Sequence, residues 1–544
     1  MRISCIVPPG CPFTSLPGER DLKPAHFIGL CLLLLAGLHG CAGIDIDRAA
    51  QRPASHAIPQ DTPSRLQELA RTLSADHPGE SGFVLLDSGL DALAARLWLA
   101  EKAEKTLDVQ SYIFHADKTG ALVAEALLKA ADRGARVRML LDDIYTYKHE
   151  ADIMALYSHP NIEIRLFNPF HYRGGNPLLR LGQFLSDQRL NRRMHNKLFA
   201  ADNQFAITGG RNIGDEYFVA HEKFFFVDLD VMASGPAAAR LSDSFDAYWA
   251  SSMALPAQAL PGYKEAHNRL PALKAYLQST RAELEASDYG RTLKAALFEE
   301  RLLSGELPTY HGNAWVVADP PEKAAGPTHV SELLLGQLSG LDPYASKEVL
   351  VISPYFVPRK TGLDWLGYQR ARGARVRVLT NSLAATDVPI VHAGYAWYRK
   401  DLLKLGVELH ELKALPNTSP RKARIGDSFS SRSSLHTKAL VFDRERTFIG
   451  SFNFDPRSAW LNTELGLLIH SKPLAERVAE MAERAMDPTY SHRLTLRNEK
   501  GQPVLTWTSR SNGNEISTDT EPNTTWWQRR WLEFMMQLPI EEQL

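Results

Sequence analysis

HNKLFAAD, residues 195–202, and HTKALVFD, residues 436–443, decide how this chain is read. Each is His-x-Lys followed by four residues and Asp, and the two copies stand 241 residues apart. Strand alternation puts a histidine and the lysine two residues on upon one face, so both can reach one ligand. A single copy is a weak match, but two copies at corresponding places are not. Each is also followed by a glycine turn and an asparagine, Gly209-Gly210-Arg211-Asn212 and Gly450-Ser451-Phe452-Asn453.

Outward from these motifs the chain repeats itself at an offset of about 240 residues, which outranks any local reading. TLDVQSYIF ends at Phe114 and EVLVISPYFV at Val357, with Tyr112 answering to Tyr355. The helical pattern GALVAEALLKAADR leads into GARVRML from Gly134, and GARVRVL follows from Gly373. NIEIRLFNP from Asn161 pairs with GVELHELK from Gly406. Helices alternating with short apolar strands predict an α/β fold of two pseudo-symmetric lobes, each a mixed or mainly parallel sheet flanked by helices. Packed face to face about a pseudo-two-fold axis, the lobes bring both motifs into a single active site at their interface.

The chain has 544 residues, too many for one ordinary core, and is 44% hydrophobic and 23% charged. Net charge is -1, which gives no global case for holding a polyanion such as nucleic acid. Cys5, Cys11, Cys31 and Cys41 are its four cysteines, so the body holds neither a disulfide framework nor a cysteine metal site. Residues 27–38, FIGLCLLLLAGL, follow Arg20 and Lys23 and are of signal-peptide length. Cys41 then resembles a lipid-modified lipoprotein cysteine, with an uncleaved signal anchor as the alternative. The polar residues ahead of Arg20 are long for a signal n-region, so the true start is expected downstream. The expected division is an export segment over 1–41, a linker over 42–63, a first lobe over 64–275, a connecting region over 276–310, a second lobe over 311–498 and a tail over 499–544.

The duplicated His-Lys-Asp pattern resembles the phospholipase D superfamily over residues 70 to 500. RLNRRMHNK, GGRNIGDEYF, TNSLAATDVPIVHAGYAWYRK and GSFNFDPRS resemble its cardiolipin synthase C branch. The resemblance implies a two-lobed fold of phospholipase D type, no metal ion or other cofactor, and transfer of a phosphatidyl group onto an alcohol. It points to phosphatidylethanolamine as donor and phosphatidylglycerol as acceptor, with a small companion protein as a further partner that close relatives suggest. The setting expected is a bacterial envelope membrane, with the catalytic body in the periplasm.

The residue chemistry agrees. A phosphodiester anion resists nucleophiles until its non-bridging oxygens are neutralised, and Lys197 and Lys438 with the amides of Asn212 and Asn453 can do that. One imidazole can attack phosphorus while the other protonates the departing alcohol. The nucleophile is assigned to His195 and the acid and base to His436, the order common among relatives. Asp228 and Glu464, on the strands after each motif, are the carboxylates expected to orient the histidines. Asp202 and Asp443 belong to the motif and are counted with the catalytic set, although capping a turn suits them at least as well. His392 is a candidate headgroup contact or a structural histidine. The Ser- and Arg-rich segment over 417–434 reads as a solvated loop or a gate for anionic headgroups. Trp527, Trp531, Phe534, Met535 and Leu538 share one helical face, for the bilayer interface or for docking on the body. The alternatives are a phospholipase D-type hydrolase releasing phosphatidic acid, a nucleic-acid phosphodiesterase and an inactive envelope scaffold. Neutral charge argues against the nucleic-acid enzyme, and the four intact motif residues His195, Lys197, His436 and Lys438 argue against the scaffold.

Overall fold

The computed structural model describes residues 44–146, 149–173, 176–221, 224–260, 267–341, 344–414 and 433–538. The export segment and nearly all of the loop expected over 417–434 lie outside these residues. No helix among the described residues is long and apolar enough to cross a membrane.

The first lobe carries β1 (Ser81–Leu86), β2 (Thr106–Ser111), β3 (Arg136–Asp142), β4 (Ile162–Phe167), β5 (Leu198–Ala201), β6 (Phe205–Gly209), β7 (Phe225–Val227), β8 (Asp230–Ser234) and β9 (Ala254–Pro256). All but β7 form one sheet in the order β9-β4-β3-β2-β5-β6-β8-β1, with β2, β3 and β4 parallel and the other pairings antiparallel. The second lobe carries β10 (Thr309–Ala318), β11 (Glu348–Ile352), β12 (Arg375–Asn381), β13 (Glu408–Leu412), β14 (Ser433–Leu435), β15 (Ala439–Phe442), β16 (Arg446–Gly450), β17 (Leu465–His470) and β18 (Ser491–Glu499). Apart from β14 its order is β10-β17-β16-β15-β11-β12-β13-β18, again with only the central three parallel. The repeat in the sequence is therefore a repeat of topology, strand for strand.

Local chemistry sets these boundaries. The helix α1 (Lys118–Asp132) starts where the Asp117 side chain accepts from the Gly120 N–H. It stops before Gly134, whose φ of +101° suits glycine, and Gly373 after the matching helix has φ +94°. The parallel strands are buried on both faces: Val137, Met139 and Leu141 join one core while Leu140 joins the next. That second core also holds Leu350, Leu379, Val441 and Leu467, so the lobes share it.

Two features differ from expectation. The lobes are not separate sheets, because β10 pairs with β1 through its first residues and with β17 through the remainder, giving one continuous sheet. A ten-residue strand is long enough to serve both partners. The stretch expected as a tether, from Ile44 on, is laid against the first lobe. Fully buried Arg138 explains much of this: it bonds Asp108 at 2.7 and 2.8 Å, pairs with Asp246 at 2.8 Å and donates to the Ser55 carbonyl at 2.8 Å. Arg165 donates to the Pro53 carbonyl and Ala57 N–H to Asp246, so the polar backbone of this segment supplies acceptors that the lobe's buried guanidiniums require.

The tail adds β19 (Gln502–Ser511) and β20 (Asn514–Thr518) to the second-lobe sheet before its helix.

Candidate active site

Each motif begins one residue after a backbone pairing between the lobes. β14 runs parallel to β7, pairing Leu435 with Val227, so the next residues, His436 and Asp228, stand side by side. On the pseudo-symmetric side, Met194 bridges Thr463, and the next residues are His195 and Glu464. Backbone bonds lock both crossings: His195 N–H donates to the Thr463 carbonyl at 2.9 Å and His436 N–H to the Val227 carbonyl at 2.7 Å. Each histidine thus takes its carboxylate from the other lobe.

His195 Nδ1 lies 2.9 Å from Glu464 Oε2, and His436 Nδ1 lies 2.6 Å from Asp228 Oδ2. A carboxylate on Nδ1 fixes that nitrogen as the protonated one and leaves Nε2 with its lone pair. The glycine turn makes room for this: a Cβ on Gly210 would lie 2.1 Å from Asp228 Oδ1. At the matching place in the second half Ser451 donates to Glu464.

Strand alternation turns Lys197 and Lys438 to the same side as their histidines. Lys197 Nζ donates to the His195 carbonyl at 2.6 Å and Lys438 Nζ to that of His436 at 2.5 Å. Each lysine also approaches a tyrosine ring, Tyr112 at 5.3 Å and Tyr355 at 5.9 Å. Asn212 and Asn453 are buried in the turns after β6 and β16; the Asn212 amide donates to Tyr217 Oη at 2.8 Å, and Asn453 Oδ1 has no hydrogen-bond partner among the described residues.

Burial sets the protonation of this cluster. It holds both imidazoles well below the usual range, with Lys197 and Lys438 adding to the effect. Burial also lowers Lys197 to about 7 and raises Glu464 to about 7, and it raises Asp228. Two imidazoles, two ammonium groups and two carboxylates are packed where water cannot solvate their charges. A phosphodiester anion among them would favour the cationic forms of the lysines and of one imidazole.

Asp202 and Asp443 stand elsewhere. They lie beyond the far ends of β5 and β15, each in the left-handed conformation, with φ of 50° and 54°. Asp202 accepts from the N–H groups of Glu104, Lys105 and Thr106, and Asp443 from those of Ser346, Lys347 and Glu348. These carboxylates tie the turn after each motif to the start of β2 or β11, which corrects their place in the expected catalytic set. Asp202→Ala should cost about 2–4 kcal/mol, since three N–H groups lose an ionised acceptor. Thermal melts should show the loss while turnover per folded molecule stays at the native value.

His392 is also structural. It is buried 2.8 Å from Arg399, whose guanidinium pairs with Glu411 and Glu521. A cavity of about 870 Å³ lined by Lys413, His492, Trp507 and Glu521 lies in this part of the second lobe, and neither motif histidine lines it.

Several residues around the histidines were not assigned to the site from sequence. Tyr112 packs edge-on to His195 at 5.0 Å, and Tyr217 and Tyr355 flank His436 at 5.4 and 6.3 Å. Asp142, at the end of β3, accepts from the Arg193 guanidinium and from Met194 N–H, holding the chain just ahead of His195. Asn381, at the end of β12, bonds Leu435 through both its amide atoms, just ahead of His436. The signal was present, because Tyr112 and Tyr355, and Asp142 and Asn381, are repeat partners at strand ends.

Fold and site together define a two-lobed protein of the phospholipase D superfamily. The family model "Cardiolipin synthase, PLD-like domain" matches residues 98–249 and 344–486. Cardiolipin synthase C of Escherichia coli K12 is 41% identical over 485 residues, 88% of this chain and 99% of that protein. An uncharacterized protein of Helicobacter pylori 26695 is 33% identical, covering 95% of this chain and 99% of its own. The solved phosphatidylserine synthase of Haemophilus influenzae Rd KW20 shares the fold, with a TM-score of 0.51 at 14% identity over 78% of this chain and 92% of that one. The chain belongs to the cardiolipin synthase family of phospholipase D-like proteins.

Proposed function

We propose that this chain makes cardiolipin by transferring a phosphatidyl group to phosphatidylglycerol, with phosphatidylethanolamine as donor. The observation that carries the reading is the pair of cross-lobe imidazole–carboxylate contacts with a lysine beside each. His195 Nε2 attacks phosphorus; a P–N bond forms as the bond to the headgroup oxygen breaks, and His436 gives that oxygen its proton. The acceptor hydroxyl then enters from the side the headgroup left. It returns a proton to His436 and forms a P–O bond as the P–N bond breaks, so both imidazoles end as they began. Lys197 and Lys438 hold the non-bridging oxygens, with Asn212 and Asn453 as amide donors, while Asp228 and Glu464 hold the imidazole tautomers. The enzyme works on a bacterial membrane; the apolar run at 27–38 before Cys41 supports a catalytic body on the periplasmic side.

Lipid analysis of a cardiolipin-deficient bacterial strain tests this, with small companion proteins encoded nearby supplied as well. The expected result is cardiolipin with the native chain and none with His195→Ala or His436→Ala. Phosphatidic acid in place of cardiolipin would make the enzyme a hydrolase, and an unchanged lipid profile would remove the lipid assignment.

A further inference from the structure

Helix α2 (Pro177–Ser186) is built inside out for a surface helix in water. Its polar Gln183 is turned inward, accepting from Tyr172 N–H at 3.0 Å and donating to the Tyr172 carbonyl at 2.9 Å. Phe184 packs on Phe170, their ring centroids 5.4 Å apart. The outward residues are leucines: Leu178 is 76% exposed, Leu181 57% and Leu185 77%, at the i, i+3, i+7 spacing of one helical face. Nothing among the described residues covers them.

This face is tied to the catalytic centre. Phe170 lies under the Arg193 guanidinium at 5.1 Å, and Arg193 is held by Asp142 two residues before His195. The tail helix presents a second exposed apolar face, on the second lobe. In the tail helix (Trp526–Met535), Leu532 and Met535 dock on Leu383 and Ala393, while Trp526, Trp527, Trp531 and Phe534 are 49–76% exposed. Ala393 belongs to a helix, Pro389–Ala396, that begins just after Asp387, and Asp387 accepts from Tyr355 Oη beside His436. Charge selects the occupant. Arg165, Arg173 and Arg193 are buried, Arg173 and Arg193 in ion pairs with Asp143 and Asp142, which leaves Arg180, Arg189 and Arg192 against Asp187 alone in the sequence from Asn176 to Arg192. The tail helix sets Arg529 and Arg530 beside its tryptophans against Glu533. Leucines and tryptophans backed by arginines complement an anionic bilayer surface.

The geometry points to two-point docking on the membrane: the leucine face of α2, linked through Phe170 and Arg193 to His195, and the aromatic face of the tail helix, linked through the Pro389–Ala396 helix and Tyr355 to His436, enter the anionic leaflet together, so that lipid reaches the histidines from the bilayer. This rests on the lipid-enzyme reading for its purpose, but its test does not need turnover. The full chain would be bound to vesicles of phosphatidylglycerol and phosphatidylethanolamine, with brominated phosphatidylglycerol as quencher. Leu181→Trp should add emission that shifts to the blue and is quenched. Leu303→Trp should add emission that is neither, since its helix, Phe298–Leu303, pairs Glu299 with Lys102 at the opposite end of the strands. The paired change Leu178→Glu with Leu185→Glu should slow turnover of vesicle lipid by about tenfold and leave a monomeric short-chain substrate unaffected. Quenching without phosphatidyl transfer would keep the docking and remove the function; unquenched Leu181→Trp emission, or native vesicle turnover in the double variant, would overturn the docking.

Discussion

Phosphatidyl transfer by His195→Ala is expected to fall by a factor on the order of 10⁴ or more in kcat, and His436→Ala should fall as far. In the proposed mechanism the two imidazoles act on one phosphorus, one forming the bond and the other supplying or taking the proton, so neither half of the exchange would proceed without its partner. The double variant should therefore be little worse than either single one, since residues that act as a unit do not lose activity additively. The loss should be catalytic, not structural. Removing His195 leaves Glu464 buried beside Ser451 and Lys197, and burial already raises this carboxyl to about 7, so it can take up a proton instead of remaining an unpaired charge. Circular dichroism and melting of the variants should stay close to native while single-turnover rates collapse.

Exchanging the two carboxylates for amides comes next in size. Asp228→Asn and Glu464→Gln should each lower kcat by roughly 10²–10⁴, because an amide can turn its oxygen or its NH₂ toward Nδ1 and no longer steadies an imidazolium. The pH profile separates the two. Glu464 must lose its proton to accept from His195 Nδ1, and its carboxyl is raised to about 7, so kcat/KM should climb as pH rises through about 7. Lys197, lowered to about 7, must keep its proton to hold the phosphate, so kcat/KM should fall again on the alkaline side. Glu464→Gln should remove the acid limb and spare the alkaline one. An acid limb that survives in the Gln variant would assign it to another group.

Much of this was legible because the chain states it twice. The repeat in GARVRML and GARVRVL predicted matched strands, and β3 and β12 are matched in register, partners and burial. The doubled His-x-Lys predicted convergence of two distant motifs, and the crossings at Leu435–Val227 and Met194–Thr463 achieve it. The motif could not say which carboxylate serves which histidine. That exchange depends on pairing between lobes, a long-range contact with no local pattern. It also could not separate Asp202 and Asp443 from the chemistry, since a motif position records recurrence and not role. The three N–H groups each one binds come from about 97 residues earlier, beyond any spacing rule. Hydrophobic periodicity gave the tail an apolar face running through Met535, whereas the structure divides it: Leu532 and Met535 pack inward and the tryptophans face out. Periodicity locates a face on a helix but does not say what covers it.

The covalent intermediate is the central claim, and trapping it is the most direct measurement. The full chain would be mixed for one turnover with phosphate-labelled phospholipid bearing an activated leaving group, then quenched in denaturant at alkaline pH, where phosphohistidine survives. The label should appear on the peptide containing His195, persist in His436→Ala because the activated leaving group needs no proton, and be absent from His195→Ala. Label on His436 instead, or turnover with no labelled peptide at any time point, would contradict the account.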